Sequence, residues 1–281
     1  MKRSLLIGAA GAALLATPAA WGQTGPEGLL APSDPAGRCA ALAGWKANDG
    51  SGGRILSATY HEAGPAKLPP PNPMGPPPGP PPQLPAHCEI VGVMKERAGI
   101  DGQPYAIRFH LRLPAAWNRR FLMQGGGGTN GDLGDALGRV GPGAPALAGG
   151  YAVLSQDSGH DNAVNAAPER GGASAFGFDP EARADYGGTS LPLAVGAART
   201  LVGAFYAATP RYSYFAGCSK GGQEGMMAAQ RYPDLFDGIV ASAPGMSLPR
   251  AAVTEAWDTQ SLGHAAAKPV TPASLAAAFT D

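Results

Sequence analysis

The sequence predicts an α/β fold with a mainly parallel sheet. Two observations carry this. Strand-like apolar runs alternate with helix-spaced segments from residue 88 onward, and no internal repeat interrupts them. Hydrophobic residues make up 44% of the 281-residue chain and fall in those runs, which excludes wholesale disorder. The length fits one large domain or two small ones. Lys plus Arg equals Asp plus Glu at 21 each, so neither a basic nucleic-acid surface nor an acidic tail is expected.

The elements are taken in chain order. Lys2 and Arg3 precede an apolar run, Leu5 to Ala16, and an Ala20-Trp21-Gly22 exit. This reads as a secretory signal peptide (1–22) cleaved after Gly22. The run is too short for the roughly 20 residues that span a bilayer. The mature chain is expected in the periplasm or outside the cell, with no membrane segment. Residues 23–87 form an N-terminal region with few periodic signals. Within it, 65–85 hold 12 of the 29 prolines, an exposed polyproline-type insert.

Residues 88–260 read as a partial α/β domain. Tyr105, Ile107, Phe109, Leu111 and Leu113 alternate with polar residues as a half-buried strand, ended by Pro114. Arg120 to Gln124 is a buried strand, followed by Gly125 to Gly128. Tyr151 to Ser155 is a third strand, closing on Asp157-Ser158-Gly159-His160. Leu193, Ala197, Leu201 and Phe205 recur at helical spacing, with Thr189 and Ser190 as candidate caps. Tyr212 to Ala216 is a strand, Gly221 to Arg231 a helix, and Gly238 to Ala241 a strand. Residues 261–281 form an Ala-rich tail or the start of a lid region.

Export permits disulfides. Cys39 and Cys88 flank the N-terminal region and are plausible partners. Cys218 is left over, as a buried thiol, a dimer link, or half of a bridge made elsewhere.

Gly217-Cys218-Ser219-Lys220-Gly221 matches G-x-S-x-G and lies between a strand and a helix. That context defines a nucleophile elbow. Small residues at both ends permit close strand–helix approach. Ser219 is the candidate nucleophile, and the Lys220 backbone N–H a candidate oxyanion donor. The second donor is expected from the glycine loop, at Gly126 or Gly127. His160 and Asp157 are candidate pocket residues.

Tyr214 to Gly222, followed by Ala229-Gln230-Arg231-Tyr232-Pro233-Asp234-Leu235-Phe236-Asp237-Gly238-Ile239-Val240-Ala241, resembles the tannase/feruloyl esterase family. That family also contains mono(2-hydroxyethyl) terephthalate hydrolases. The resemblance spans about Cys39 to Trp257 and implies a secreted α/β-hydrolase, with a doubly wound sheet, that cleaves esters of often aromatic acids. It implies that Cys39 bridges Cys88, and that Cys218 bridges a cysteine just after the catalytic histidine. Lys220 departs from the polar or acidic residue more usual there, and the Pro-rich insert is longer than the family's.

In this fold the triad runs Ser, then Asp or Glu, then His. Only His264 lies C-terminal to Ser219. Asp234 and Asp237 are weak candidates for the acid, and His264 for the base. The chain is therefore expected to be the N-terminal part of a longer enzyme, truncated after the strand that succeeds the elbow. Acid, base, lid domain and any structural calcium would lie beyond it, and the 281 residues alone are expected to show near-background activity. No cofactor and no metal cluster is read from residue spacing, and the expected partner is a small-molecule ester. The rival reading is a secreted binding module, a degenerate hydrolase. The lack of C-x-x-C argues against a redox protein.

Overall fold

The computed structural model describes residues 29–66, 80–139 and 143–265, with backbone alone for 262–265. The expected signal peptide, the centre of the Pro-rich insert (67–79) and the tail after residue 265 lie outside the described residues.

Helix α1 (Pro35–Ala41) starts where Asp34 accepts the Gly37 N–H and Pro35 presets the first turn. The strands are β1 (Arg54–His61), β2 (Gly64–Pro65), β3 (Gln83–Leu84), β4 (His87–Ala98), β5 (Pro104–Pro114), β6 (Arg120–Gln124) and β7 (Ala152–Gln156). Short helices α2 (Asn162–Asn165) and α3 (Pro180–Ala184) precede α4 (Ser190–Tyr206). Then come β8 (Tyr212–Cys218), α5 (Lys220–Arg231), β9 (Gly238–Ser242) and α6 (Leu248–Ala265).

Seven strands form one sheet in the order β1-β4-β5-β7-β6-β8-β9, and β2 pairs with β3 apart from it. The sheet has two halves. β1, β4, β5 and β7 run antiparallel to one another, and β7, β6, β8 and β9 run parallel. All five expected strands are present; α4 and α5 cross over into β8 and β9, whereas β6 reaches its parallel partner β7 through a long connection with no helix among the described residues. The antiparallel extension is the surprise. β1 alternates weakly because most of it is solvent-facing, and β4 is a run buried largely on both sides, so neither shows a clean two-residue period.

Side chains leave the sheet alternately. Ala152 and Leu154 join the main core with Phe121, Met123 and Phe215, whereas Val153 faces Leu84, Leu137 and Leu147. Helix α4 covers the first face with Leu191, Ala194, Val195, Ala198, Leu201, Val202 and Phe205. Its expected caps act differently. A π-turn, Asp185–Thr189, runs straight into α4, so there is no free helix end to cap. Thr189 Oγ1 donates to the Asp185 carboxylate at 2.7 Å, and Ser190 Oγ donates to the Asp185 carbonyl at 2.8 Å.

The N-terminal region belongs to the same core. Cys39, Leu42 and Ile55 pack with residues of β4 and β5, and Cys39 is bonded to Cys88. On the second face, Leu122, Tyr151, Tyr214, Ala216 and Val240 line an open, largely apolar hollow of about 960 Å³. Val240 is 64% exposed there. Among the described residues, no helix is long and apolar enough to cross a membrane.

The disulfide closes a 49-residue separation. On the chain-entropy model this removes about 4 kcal/mol of unfolded-state freedom. Urea unfolding of Cys39→Ser/Cys88→Ser beside the parent chain should show a loss of about that size.

Candidate active site

Ser219 sits between the end of β8 and the first turn of α5, exposed, at φ 58° and ψ −115°. That region is costly for a residue with a Cβ. The surroundings impose it. A Cβ on Gly217 would fall 2.6 Å from the Gly221 carbonyl, and one on Gly125 would fall 2.7 Å from the Gly221 Cα. Three glycines from β8, α5 and the loop after β6 therefore interlock. The Ser219 N–H donates to Ser242 of β9 at 3.1 Å, which ties the turn to the neighbouring strand.

Because β6 and β8 are adjacent, the glycine loop lies beside the elbow. The Gly125 N–H donates to Ala216 O, and the Gly221 N–H to Gly126 O, both at 2.9 Å. This corrects one expected oxyanion donor. The Gly126 N–H already donates to Glu224 Oε2 at 2.9 Å, so it is not free for a substrate. Gly127 is exposed, with open space where a Cβ would be. The Lys220 N–H opens α5, in the first turn, where an N–H has no intrahelical acceptor. Gly127 and Lys220 are the two candidate donors that remain.

Beneath the elbow lies a buried polar network that sequence reading missed. Lys220 and Glu224 are 4% and 5% exposed and meet at 2.6 Å. Lys220 Nζ also donates to Ser158 Oγ at 2.8 Å and stands over the Tyr186 ring. Glu224 Oε1 accepts from Gln156 Nε2 at 3.1 Å, and Asn130 Nδ2 donates to Ser158 Oγ at 2.9 Å. The available signal was the i,i+4 spacing of Lys220 and Glu224 on a helix that opens with Gly221 and Gly222.

The two pocket candidates are buried instead. Asp157 is fully buried, with its carboxylate on Arg108 Nε at 2.6 Å and on the Arg108 and Gly159 N–H groups. Burial pushes its pKa up to about 6, and Arg108 opposes that rise, so it is a carboxylate at neutral pH. It anchors β7 to β5. His160 is 1% exposed and stacks on Phe176 with centroids 3.9 Å apart. Neither ring nitrogen makes a well-aligned hydrogen bond, the ring's polar contact being with the Ser158 backbone, and burial lowers its pKa to about 4.

The weak triad candidates are not brought to Ser219. Asp237 pairs with Ser213 at the opposite end of β8, six residues and roughly 20 Å from the serine. Asp234 is exposed in the turn before it. His264 lies in the last turn of α6, not in an irregular tail, and its side chain is outside the described residues. Among the described residues, no group hydrogen-bonds the Ser219 hydroxyl. Cys218 is a free thiol and is exposed among the described residues. Folding also brings one donor atom each from His61, His87 and Glu89 within 4.8 Å, a grouping that residue spacing did not show.

Comparison with known proteins gives a consistent family. The sequence profile described as tannase and feruloyl esterase matches residues 88–279. A mono(2-hydroxyethyl) terephthalate hydrolase of Piscinibacter sakaiensis is 52% identical over 185 residues, covering 65% of this chain and 31% of that protein. A probable feruloyl esterase of Arthroderma benhamiae is 32% identical over 173 residues, 59% of this chain and 30% of its own length. The crystal structure of feruloyl esterase B from Aspergillus oryzae superposes with a TM-score of 0.57 at 26% identity, over 75% of this chain and 37% of that one. The chain thus spans about a third of the length of these curated relatives.

The buried groups generate two expected outcomes. Glu224→Ala strands the Lys220 ammonium and should cost about 3–5 kcal/mol in urea unfolding, whereas adding Lys220→Met should restore part of that loss. His160 is held neutral, so its contribution is complete above pH 6.5 and falls away as the pH drops toward about 4. His160→Phe should lose less stability than the parent chain between pH 7 and pH 4.5.

Proposed function

The chain belongs to the tannase and feruloyl esterase family, and from that membership we propose that it carries the nucleophile part of an exported serine carboxylic-ester hydrolase. The relatives' names point to esters of aromatic acids as the substrate class. The observation that carries the reading is Ser219, exposed at a strained positive φ between a strand and a helix, beside the Gly127 and Lys220 N–H groups.

In this reading the Ser219 hydroxyl attacks the ester carbonyl carbon and loses its proton to a histidine base. The carbonyl oxygen becomes an oxyanion held by the Lys220 and Gly127 N–H groups, with the α5 N-terminus adding favourable field. The C–O bond to the alcohol breaks as the base returns the proton. Water then hydrolyses the acyl-Ser219 ester by the reverse roles. The base and its acid are supplied by residues outside those described, a reading supported by the share of the relatives' length that the chain covers. The basic–apolar N-terminus and the Cys39–Cys88 bridge support export into an oxidising compartment.

The test is turnover of a chromogenic aromatic ester by the natively produced protein, with its intact mass read in parallel. Ser219→Ala should reduce the rate by about 10⁴-fold or more, while the isolated 281 residues should stay near background. Turnover that survives Ser219→Ala would overturn the serine mechanism. Native protein that neither turns over nor takes a fluorophosphonate label would favour the binding module.

A further inference from the structure

A second cluster of reactive side chains lies on the antiparallel half of the sheet. His61 closes β1, His87 opens β4, and the two are direct cross-strand partners. Glu89 stands two residues after His87, so it leaves the same face. One donor atom from each of the three lies within 4.8 Å of the others. We propose that His61, His87 and Glu89 form a binding site for a divalent transition metal, best suited to Zn²⁺.

The tautomer of one ligand is already set, and the His61 and His87 rings stack with centroids 5.1 Å apart, so the His61 ring must turn for both nitrogens to face one cation. His87 Nδ1 lies 2.8 Å from the Pro85 carbonyl oxygen, so Nδ1 carries the proton and Nε2 presents a lone pair. Metal-binding imidazoles are commonly fixed by such a carbonyl contact. Glu89 Oε1 is engaged by His110 Nε2 at 2.8 Å and Arg112 Nη2 at 2.7 Å. Its other oxygen, Oε2, is 2.6 Å from His61 Nε2. That nitrogen is buried, and its contact with Oε2 is not aligned as a hydrogen bond. A buried imidazole nitrogen facing a carboxylate oxygen without an aligned proton is what a shared cation resolves.

Two nitrogens and one oxygen suit zinc better than calcium or magnesium, which prefer oxygen throughout. Zn–N bonds of about 2.0–2.1 Å place tetrahedral donors about 3.4 Å apart, so the His61–Glu89 contact at 2.6 Å opens while the widest of the three separations, within 4.8 Å, closes. His61 ends a strand and its side chain is 31% exposed, which leaves room for that shift. The adjoining cleft of about 390 Å³, bordered by Ala66, Leu84 and Asp135, admits water as a further ligand. Arg112 is the competitor. Its Nη1 meets His87 Nε2 at 2.7 Å, and zinc would take that lone pair while Arg112 keeps Glu89 Oε1 and the Asp135 carbonyl. The exchange of one hydrogen bond, against a neighbouring positive charge, predicts a site weaker than a four-ligand structural zinc.

The test is Zn²⁺ titration against a chromogenic chelator, using the full chain with Cys218→Ser so that the exposed thiol does not compete. The expected result is one equivalent bound, weakened roughly tenfold or more by His61→Ala and by Glu89→Gln. Co²⁺ should give visible d–d bands that disappear in the same variants. Glu89→Gln also removes ion pairs, so His61→Ala is the decisive variant, accepted when its metal-free unfolding midpoint matches the parent. Failure of the parent to bind one equivalent, or binding unchanged in folded His61→Ala, would overturn the proposal.

Discussion

The candidate site depends on one buried ion pair. Lys220 and Glu224 lie one helical turn apart on α5, and the pair sits under the elbow rather than on the surface. Glu224 divides its two oxygens between tasks. Oε1 meets Lys220, Ser158 and Gln156, and Oε2 holds the Gly126 N–H. One carboxylate therefore joins the elbow helix, the end of β7 and the glycine loop after β6. If it let go, the loop would keep its strand but lose its distance from Ser219.

Such a pair is a poor source of net stability, because desolvating two charges offsets most of their attraction. Its value lies in direction. A glycine loop has little intrinsic preference for one conformation. Backbone contacts from Gly125 and Gly221 fix part of it, and a charge-assisted bond fixes Gly126. The neighbouring Gly127 is exposed. In the proposed mechanism, the bond that occupies the Gly126 N–H leaves Gly127 as the loop's candidate donor. Oxyanion stabilisation rewards donors that are oriented before the charge develops.

Much of this was legible in the chain, and the remainder was hidden for physical reasons. The elbow was readable because strand, strained serine and helix are contiguous, and a five-residue pattern encodes all three. The parallel strands were readable as short apolar runs. β1 and β4 were not, since one is mostly solvent-facing and the other is covered on both sides. The role of Glu224 was hidden because its partner Gly126 is 98 residues away. His160 and Asp157 looked like pocket residues because they lie just past a strand end. Yet the Arg108 ion pair and the Phe176 stack draw them inside. The His61–His87–Glu89 cluster was invisible for a similar reason, since strand pairing brings its members together across the Pro-rich segment.

The sheet's two halves explain why these features sit where they do. Parallel strands send their C-terminal ends to one edge, where successive loops converge, and β6 and β8 deliver the glycine loop and Ser219 there together. Antiparallel strands instead place the end of one beside the start of the next. That geometry juxtaposes His61 with His87, and sets the Cys39–Cys88 bridge one residue further along β4. Asp237 shows the same constraint from the other side. It lies in a connection that returns to the N-terminal edge of the parallel half, so no side-chain rotation can bring it to Ser219. In the proposed mechanism, a base for Ser219 would have to reach the C-terminal edge of the parallel half, the edge from which α6 leaves β9.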